Sequence, residues 1–176
     1  MEQAVYKEEQ KFETHNGKVF ALASGTVNHC QVIDNTVCVF KQYLRGKTCK
    51  VWSGGIDVHL TDKDCFVPDV TVVCDPKIIT NDGIMGTPDL IVEILSPSTA
   101  RYDRGYKKNV YENCGVKEYW IITIETRSVE VYLLQNRKLE LDNIYSINKN
   151  NENTEFSTSI FLDLVISLDE IFMDLI

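Results

Sequence analysis

From Asp89 to Leu95 the chain is almost continuously apolar after its first residue, and one carboxylate, Glu93, interrupts that run. A continuous apolar segment this short suits a strand buried on both faces of its sheet, which calls for further layers packed on each side. A carboxylate in such a strand is costly unless it is paired or bound to a cation. The strand therefore predicts an α/β fold and, at Glu93, a place where chemistry is concentrated.

The elements around it follow from local signals. Residues 12–15 and 18–23 flank Asn16-Gly17 and predict an opening β-hairpin. Thr26 caps a helix whose apolar positions Val27, Cys30, Val37 and Phe40 approach helical spacing, ending around Arg45, Gly46 and Lys47, although Val32, Ile33, Thr36 and Val37 are β-branched and weigh against it. Strands are expected over 49–52, 56–60 and 66–74, separated by Gly54-Gly55 and by residues 61–64. Residues 76–88, with Asn81-Asp82-Gly83, predict a loop, and Ser96-Pro97-Ser98-Thr99 a strand-to-helix turn. A second helix is expected over 99–114 with Gly115 as its cap, then strands over 119–124, 129–134 and 138–141 and an Asn-rich loop over 148–153. Residues 160–176 supply a last strand and a short helix starting near Ser167.

With 176 residues, 44% of them hydrophobic, the chain predicts one core and one domain over 1–176. Residues 1–12 carry Glu2, Glu8 and Glu9 and no apolar segment, so no signal peptide is expected, and no apolar run approaches the roughly 20 residues of a membrane span. The expectation is a cytoplasmic protein with reduced, mostly buried thiols, since the six cysteines contain no C-x-x-C pair. No chemistry is assigned to the neighbours His29 and Cys30. The net charge of -8 argues against a surface coated for non-specific nucleic-acid binding. That total hides two basic regions, Lys41, Arg45, Lys47 and Lys50, then Arg101, Arg104, Lys107, Lys108 and Lys117, and an acidic C-terminal end.

Asp69, directly after Pro68 at the opening of one strand, and Glu93 in another are the two acids that adjacent strands would bring to one hard cation, magnesium or manganese. Lys107, on the helix that follows Glu93, then stabilises charge building on a phosphate. Each residue has a plainer reading: a turn residue at Asp69, a structural ion pair at Glu93, a solvated helix lysine at Lys107. Asp89 reads as structural, Tyr119 and Trp120 as core. A glycoside hydrolase would also use two carboxylates, with no metal.

Phe66-Val67-Pro68-Asp69, Thr87-Pro88-Asp89-Leu90-Ile91-Val92-Glu93-Ile94-Leu95-Ser96-Pro97-Ser98-Thr99, Asp103 with Lys107 and Tyr111, and Gly115-Val116-Lys117-Glu118-Tyr119-Trp120 together resemble the Uma-two family of restriction-endonuclease-like proteins. Phe12-Glu13 ahead of Asn16-Gly17, His29, and residues 161–172 resemble that family's ends, so the resemblance spans nearly the whole chain. It implies the PD-(D/E)XK nuclease fold, a central mixed β-sheet flanked by helices with an N-terminal hairpin. By position, Asp69 resembles the acid of the PD half-motif and Glu93 that of the (D/E)XK half. Leu95 stands where the superfamily lysine would, which moves that role to Lys107, with Lys108 as second choice, and Glu13 resembles an auxiliary acid. The activity implied is Mg2+- or Mn2+-dependent hydrolysis of phosphodiester bonds, with DNA as the expected nucleic acid and a homodimer as the expected assembly. Arg101, Arg104 and Lys108 are the expected nucleic-acid contacts. The rival is a nuclease fold without turnover that binds nucleic acid or a protein partner.

Overall fold

The computed structural model describes residues 10–96, 99–147 and 154–176. Asn16 and Gly17 both take positive φ, 48° and 77°, the geometry a two-residue turn needs to match strand twist, and the hairpin closes between β1 (Phe12–His15) and β2 (Lys18–Ala21). Thr26 accepts a hydrogen bond from the His29 backbone N–H at 3.2 Å and starts α1 (Val27–Leu44). The β-branched residues do not break this helix. Val32, Thr36, Val37, Phe40 and Leu44 form its buried stripe, and that burial outweighs the small propensity penalty.

The central sheet has the order β12-β11-β10-β9-β6-β3, made from β3 (Lys50–Ser53), β6 (Val70–Val73), β9 (Leu90–Ile94), β10 (Glu118–Thr123), β11 (Ser128–Gln135) and β12 (Lys138–Ser146). β9 and β10 pair in parallel, so the chain must cross over between them, and it does so through α2 (Ala100–Tyr102), a π turn (Asp103–Lys107) and α3 (Lys108–Cys114). Gly115, at φ 88°, ends α3 in the left-handed conformation. Leu90, Val92 and Ile94 pack with α1, while Ile91 packs with Val110 and Tyr111 of α3. Strand alternation thus turns Glu93 toward the crossover helix. Every residue of β9 is buried, as its sequence requires.

A second sheet, ordered β2-β1-β5-β4-β8-β7, adds β4 (Val58–Thr61), β5 (Asp64–Phe66), β7 (Ile79–Thr80) and β8 (Gly83–Met85) to the hairpin. β13 (Glu155–Ser157) and β14 (Val165–Ser167) form a small ribbon, and α4 (Leu168–Ile171) follows with Ser167 as its cap. Both the mixed sheet with flanking helices and the opening hairpin match the expected fold.

Several expectations are corrected. Residues 66–74 are not one strand, because β5 ends at Phe66 and β6 starts at Val70, with Pro68 between them lacking the N–H a ladder needs. Residues 76–88 are not simply a loop: after a 3-10 turn (Pro76–Ile78), β7 and β8 form a hairpin around Asn81-Asp82. The strand expected over 138–141 continues to Ser146, and β13 carried no signal. The thiols are not all reduced and mostly buried. Cys49 and Cys74 form a disulfide, and Cys30 and Cys38 are exposed. The pairing of Lys50 with Val73 sets the two bridged positions side by side, a register that spacing along the chain does not reveal. The expected Asn-rich loop over 148–153, the middle of the 96–99 turn and most of the N-terminal segment lie outside the described residues. Among the described residues no helix is long and apolar enough to cross a membrane.

Candidate functional site

β6 and β9 pair antiparallel with Val70 opposite Val92, so extending that register sets Asp69 beside Glu93. Asp69 accepts from the Ile94 backbone N–H at 2.7 Å through Oδ2, and its Oδ1 lies 3.0 Å from His29 Nε2. Glu93 Oε1 accepts from the Tyr111 hydroxyl at 2.7 Å and from Lys107 Nζ at 3.0 Å. The same ammonium donates to Glu13 Oε1 at 2.8 Å and lies 3.6 Å from Asp103 Oδ1. Glu13 is fixed in turn by the Val67 backbone N–H at 2.9 Å and by His15 at 2.8 Å. Strand, hairpin and crossover helix therefore converge on Lys107. The lysine comes from the last position of the π turn, a local widening of the helix that recurs at functional sites.

Lys107 is 4% exposed, which excludes the solvated-lysine reading. Burial works against its charge, but Glu93, Glu13 and Asp103 outweigh it and hold the ammonium protonated well beyond its ordinary range. Glu93 is the opposite case. Its complete burial pushes the carboxyl well above the usual range, and Asp103, Asp69 and Glu13 add to that against the pull of Lys107. Burial also raises Glu13, yet Lys107 and the bonds from Val67 and His15 bring it below the ordinary value. Asp103 is raised, chiefly by burial, and its Oδ1 has no hydrogen-bond partner among the described residues. Three buried carboxylates thus share one ammonium, and among the described residues one acid oxygen, Asp103 Oδ1, has the ion pair but no hydrogen bond. Carboxylate oxygens are the donors a hard divalent cation takes, and Asp69, Glu93, Glu13 and Asp103 are the acids that would supply them.

A cavity of about 690 Å³ opens beside Asp69, bounded also by Lys11, Gly25, His29, Gly54 and Gly55. A side chain added at Gly25 would place its Cβ 2.9 Å from the His29 ring, so this close approach protects the ring's aim at Asp69. The hydrogen bond to Asp69 raises the His29 pKa above 6.5, against the effect of burial. A raised histidine contributes stability that is full below its unfolded pKa and is lost as pH rises through the folded one. NMR titration should put the His29 midpoint above 6.5, and Asp69→Asn should bring it down. An unchanged midpoint in that variant would dissolve the link between the two residues.

Much of the second basic region is committed within the molecule. Arg104 pairs with Glu130, Lys108 donates to the Leu139 carbonyl at 2.7 Å and lies 4.8 Å from the Tyr132 ring centroid, and Lys117 pairs with Asp89 at 2.6 Å. Arg101 is exposed. Asp89 also accepts from the Cys74 backbone N–H at 2.7 Å, the structural role read for it, and Tyr119 and Trp120 are fully buried. His29, Asp103, His15 and Lys11 were not singled out for roles from their own residues. A signal was present in two places. Asp103, Lys107 and Tyr111 recur four apart, and in β1 the polar Glu13 and His15 share the buried face while Phe12 is 52% exposed.

Comparisons with known proteins bear on the family and the fold. The model of the Uma2 family, described as "Putative restriction endonuclease", matches residues 2–168. Two uncharacterized proteins of Synechocystis, slr1290 and sll1609, are similar. The first is 28% identical over 128 residues, covering 72% of this chain and 67% of the relative, and the second 27% over 127 residues, covering 70% and 72%. A crystal structure described as that of a "putative nuclease" of the DUF820 group from Anabaena variabilis superposes with a TM-score of 0.75 at 19% identity, over 96% of this chain and 93% of that one. At that identity the likeness is one of fold. Because the family model covers the sheet, the crossover helix and all the acids gathered around Lys107, this chain belongs to the Uma2 family of restriction-endonuclease-like proteins.

Proposed function

We propose that the chain, as one domain over 1–176, is a metal-dependent endonuclease that hydrolyses phosphodiester bonds of DNA, in the cytoplasm and as a homodimer that addresses two strands. The observations that support this are three: the β6–β9 register, extended by one residue, sets Asp69 beside Glu93, Lys107 of the crossover donates to Glu93, and Asp69 borders an open cavity. In this reading Asp69 and Glu93 would hold Mg2+ or Mn2+, with Glu13 as the auxiliary acid, and the chemistry such an ion would supply is activation of water and neutralisation of phosphate charge. Lys107 holds its proton throughout and offers positive charge to a phosphate oxygen. Tyr111 and the Ile94 N–H orient the two acids, and His29 steadies Asp69. Arg101 and Lys11 are the side chains best placed to meet the phosphate backbone, with Arg104 and Lys108 available only if they leave their present partners.

The purified chain incubated with supercoiled plasmid and with single- and double-stranded oligonucleotides is expected to yield cut products with Mn2+ or Mg2+ and none with a chelator. One observation favours a second reading, a module that binds nucleic acid without cutting it: Lys107 is wholly engaged in neutralising three acids, as a purely structural ion cluster would have it. Retention of DNA with intact substrate under both metals would select that reading.

A further inference from the structure

On β4 and β5, His59 pairs in register with Cys65, so the two side chains share one face of the second sheet. Thr14 of β1 pairs with Cys65 on the other side of β5 and shares that face too, which puts the neighbouring Glu13 on the opposite face. Asp57 precedes β4 by one residue, and its carboxylate joins the pair: one ligand atom from each of Asp57, His59 and Cys65 lies within 4.8 Å of the other two. Cys65 Sγ and His59 Nε2 are 3.9 Å apart. Around a tetrahedral zinc ion, with bonds of about 2.3 Å to sulfur and 2.0 Å to nitrogen, those atoms would stand roughly 3.5 Å apart. A small adjustment closes the difference.

The backbone around the group is held firmly. Asp57 O accepts from the Ile84 N–H at 2.8 Å, and His59 O from the Gly86 N–H at 3.1 Å. Gly83 comes so close that a Cβ there would sit 2.4 Å from Asp57 O. The donors are a thiol, an imidazole and a carboxylate, a softer set than the all-carboxylate cluster around Lys107, and such a set selects zinc over magnesium.

We propose that Asp57, His59 and Cys65 form a second metal site, of zinc type, on the face of the N-terminal sheet opposite Glu13. Three protein ligands leave the fourth position to water. The ion ties β4 to β5, and through β5 it steadies β1, which carries Glu13. Burial, with Asp57 and Glu13 adding to it, pushes the Cys65 thiol up to about 11, so without an ion the sulfur is a weak nucleophile at neutral pH. Binding exchanges the thiol proton for the metal.

The test uses the full chain after chelator treatment, in a Cys30→Ser, Cys38→Ser background that removes the exposed thiols, with Zn2+ in competition with a chromogenic chelator and Co2+ as the spectroscopic probe. One equivalent of Co2+ giving a thiolate charge-transfer band is expected. The band should vanish in Cys65→Ser and persist in Asp69→Ala. Zn2+ affinity should fall at least about tenfold in His59→Ala and in Asp57→Asn. Asp57 is exposed, so its variant carries the test should Cys65→Ser fail to fold. Absence of the band in the parent, its survival in Cys65→Ser, or unchanged Zn2+ affinity in Asp57→Asn would each overturn the site.

Discussion

Glu93→Ala is expected to lower metal-dependent cleavage by about 10³-fold or more, the effect of losing roughly 4 kcal/mol of transition-state stabilisation. The fold should survive. In the variant Lys107 keeps Glu13 at 2.8 Å and Asp103 at 3.6 Å as counter-charges, and the Tyr111 hydroxyl loses a partner, at a cost of about 1–3 kcal/mol. Asp69→Ala should lose activity to a similar degree, because the remaining strand acid cannot hold the ion in the same place. Turnover measured with Mn2+ on plasmid, beside far-ultraviolet circular dichroism, separates lost chemistry from lost structure. A folded Glu93→Ala protein that cuts at the native rate would remove Glu93 from the mechanism.

Lys107→Met should be the most damaging single change to stability. It leaves Glu13, Glu93 and Asp103 buried with their ammonium gone, and breaking a buried pair in this way costs about 3–5 kcal/mol. For a chain of this size that corresponds to a fall in melting temperature of roughly 10 °C. The deficit should depend on pH. Glu93 and Asp103 already have raised carboxyl pKa values, and without Lys107 these rise further. A raised acid favours the native state fully below its unfolded pKa and progressively loses that advantage as pH climbs through the folded value. The gap between variant and native should therefore be small below about pH 4.5 and full near neutrality. Mn2+ should raise the melting temperature of the variant more than that of the native chain, since the cation replaces the missing charge. A shift below about 0.5 kcal/mol, as for an ordinary surface lysine, would contradict the buried cluster.

What could be read beforehand was whatever announces itself locally. The apolar run of β9, the Asn-Gly turn, the Thr26 cap and the Gly115 stop each carry a signature a few residues long, and each fell where expected. The disagreeable position of Glu93 in an apolar strand was visible for the same reason. β7 has two residues and β8 three, too few for a period to show, and β8 is held to the sheet by its pairing with β4. The Cys49–Cys74 bridge depends on the register of β3 against β6, which is a property of the assembled sheet. His29 and Asp103 stood in the sequence without a role of their own, and their partners, Asp69 and Lys107, are set by α1 and the π turn in the assembled fold. Lys107 was a candidate from its place on the helix after Glu93, and the resemblance added the superfamily lysine's role, because Leu95 occupies the strand position where the usual spacing would place that lysine.

The ammonium of Lys107 meets Glu13 across 94 residues of chain, and Glu13 meets the Val67 N–H across 54. Contacts so distant in sequence form late, because the loops between them must close before either contact is gained. A ribosome-bound or half-folded chain therefore lacks the complete acid–lysine set, and any cleaving power waits on the finished topology. Under the proposed function, a partly made copy would hold the acids and the lysine without yet holding the site.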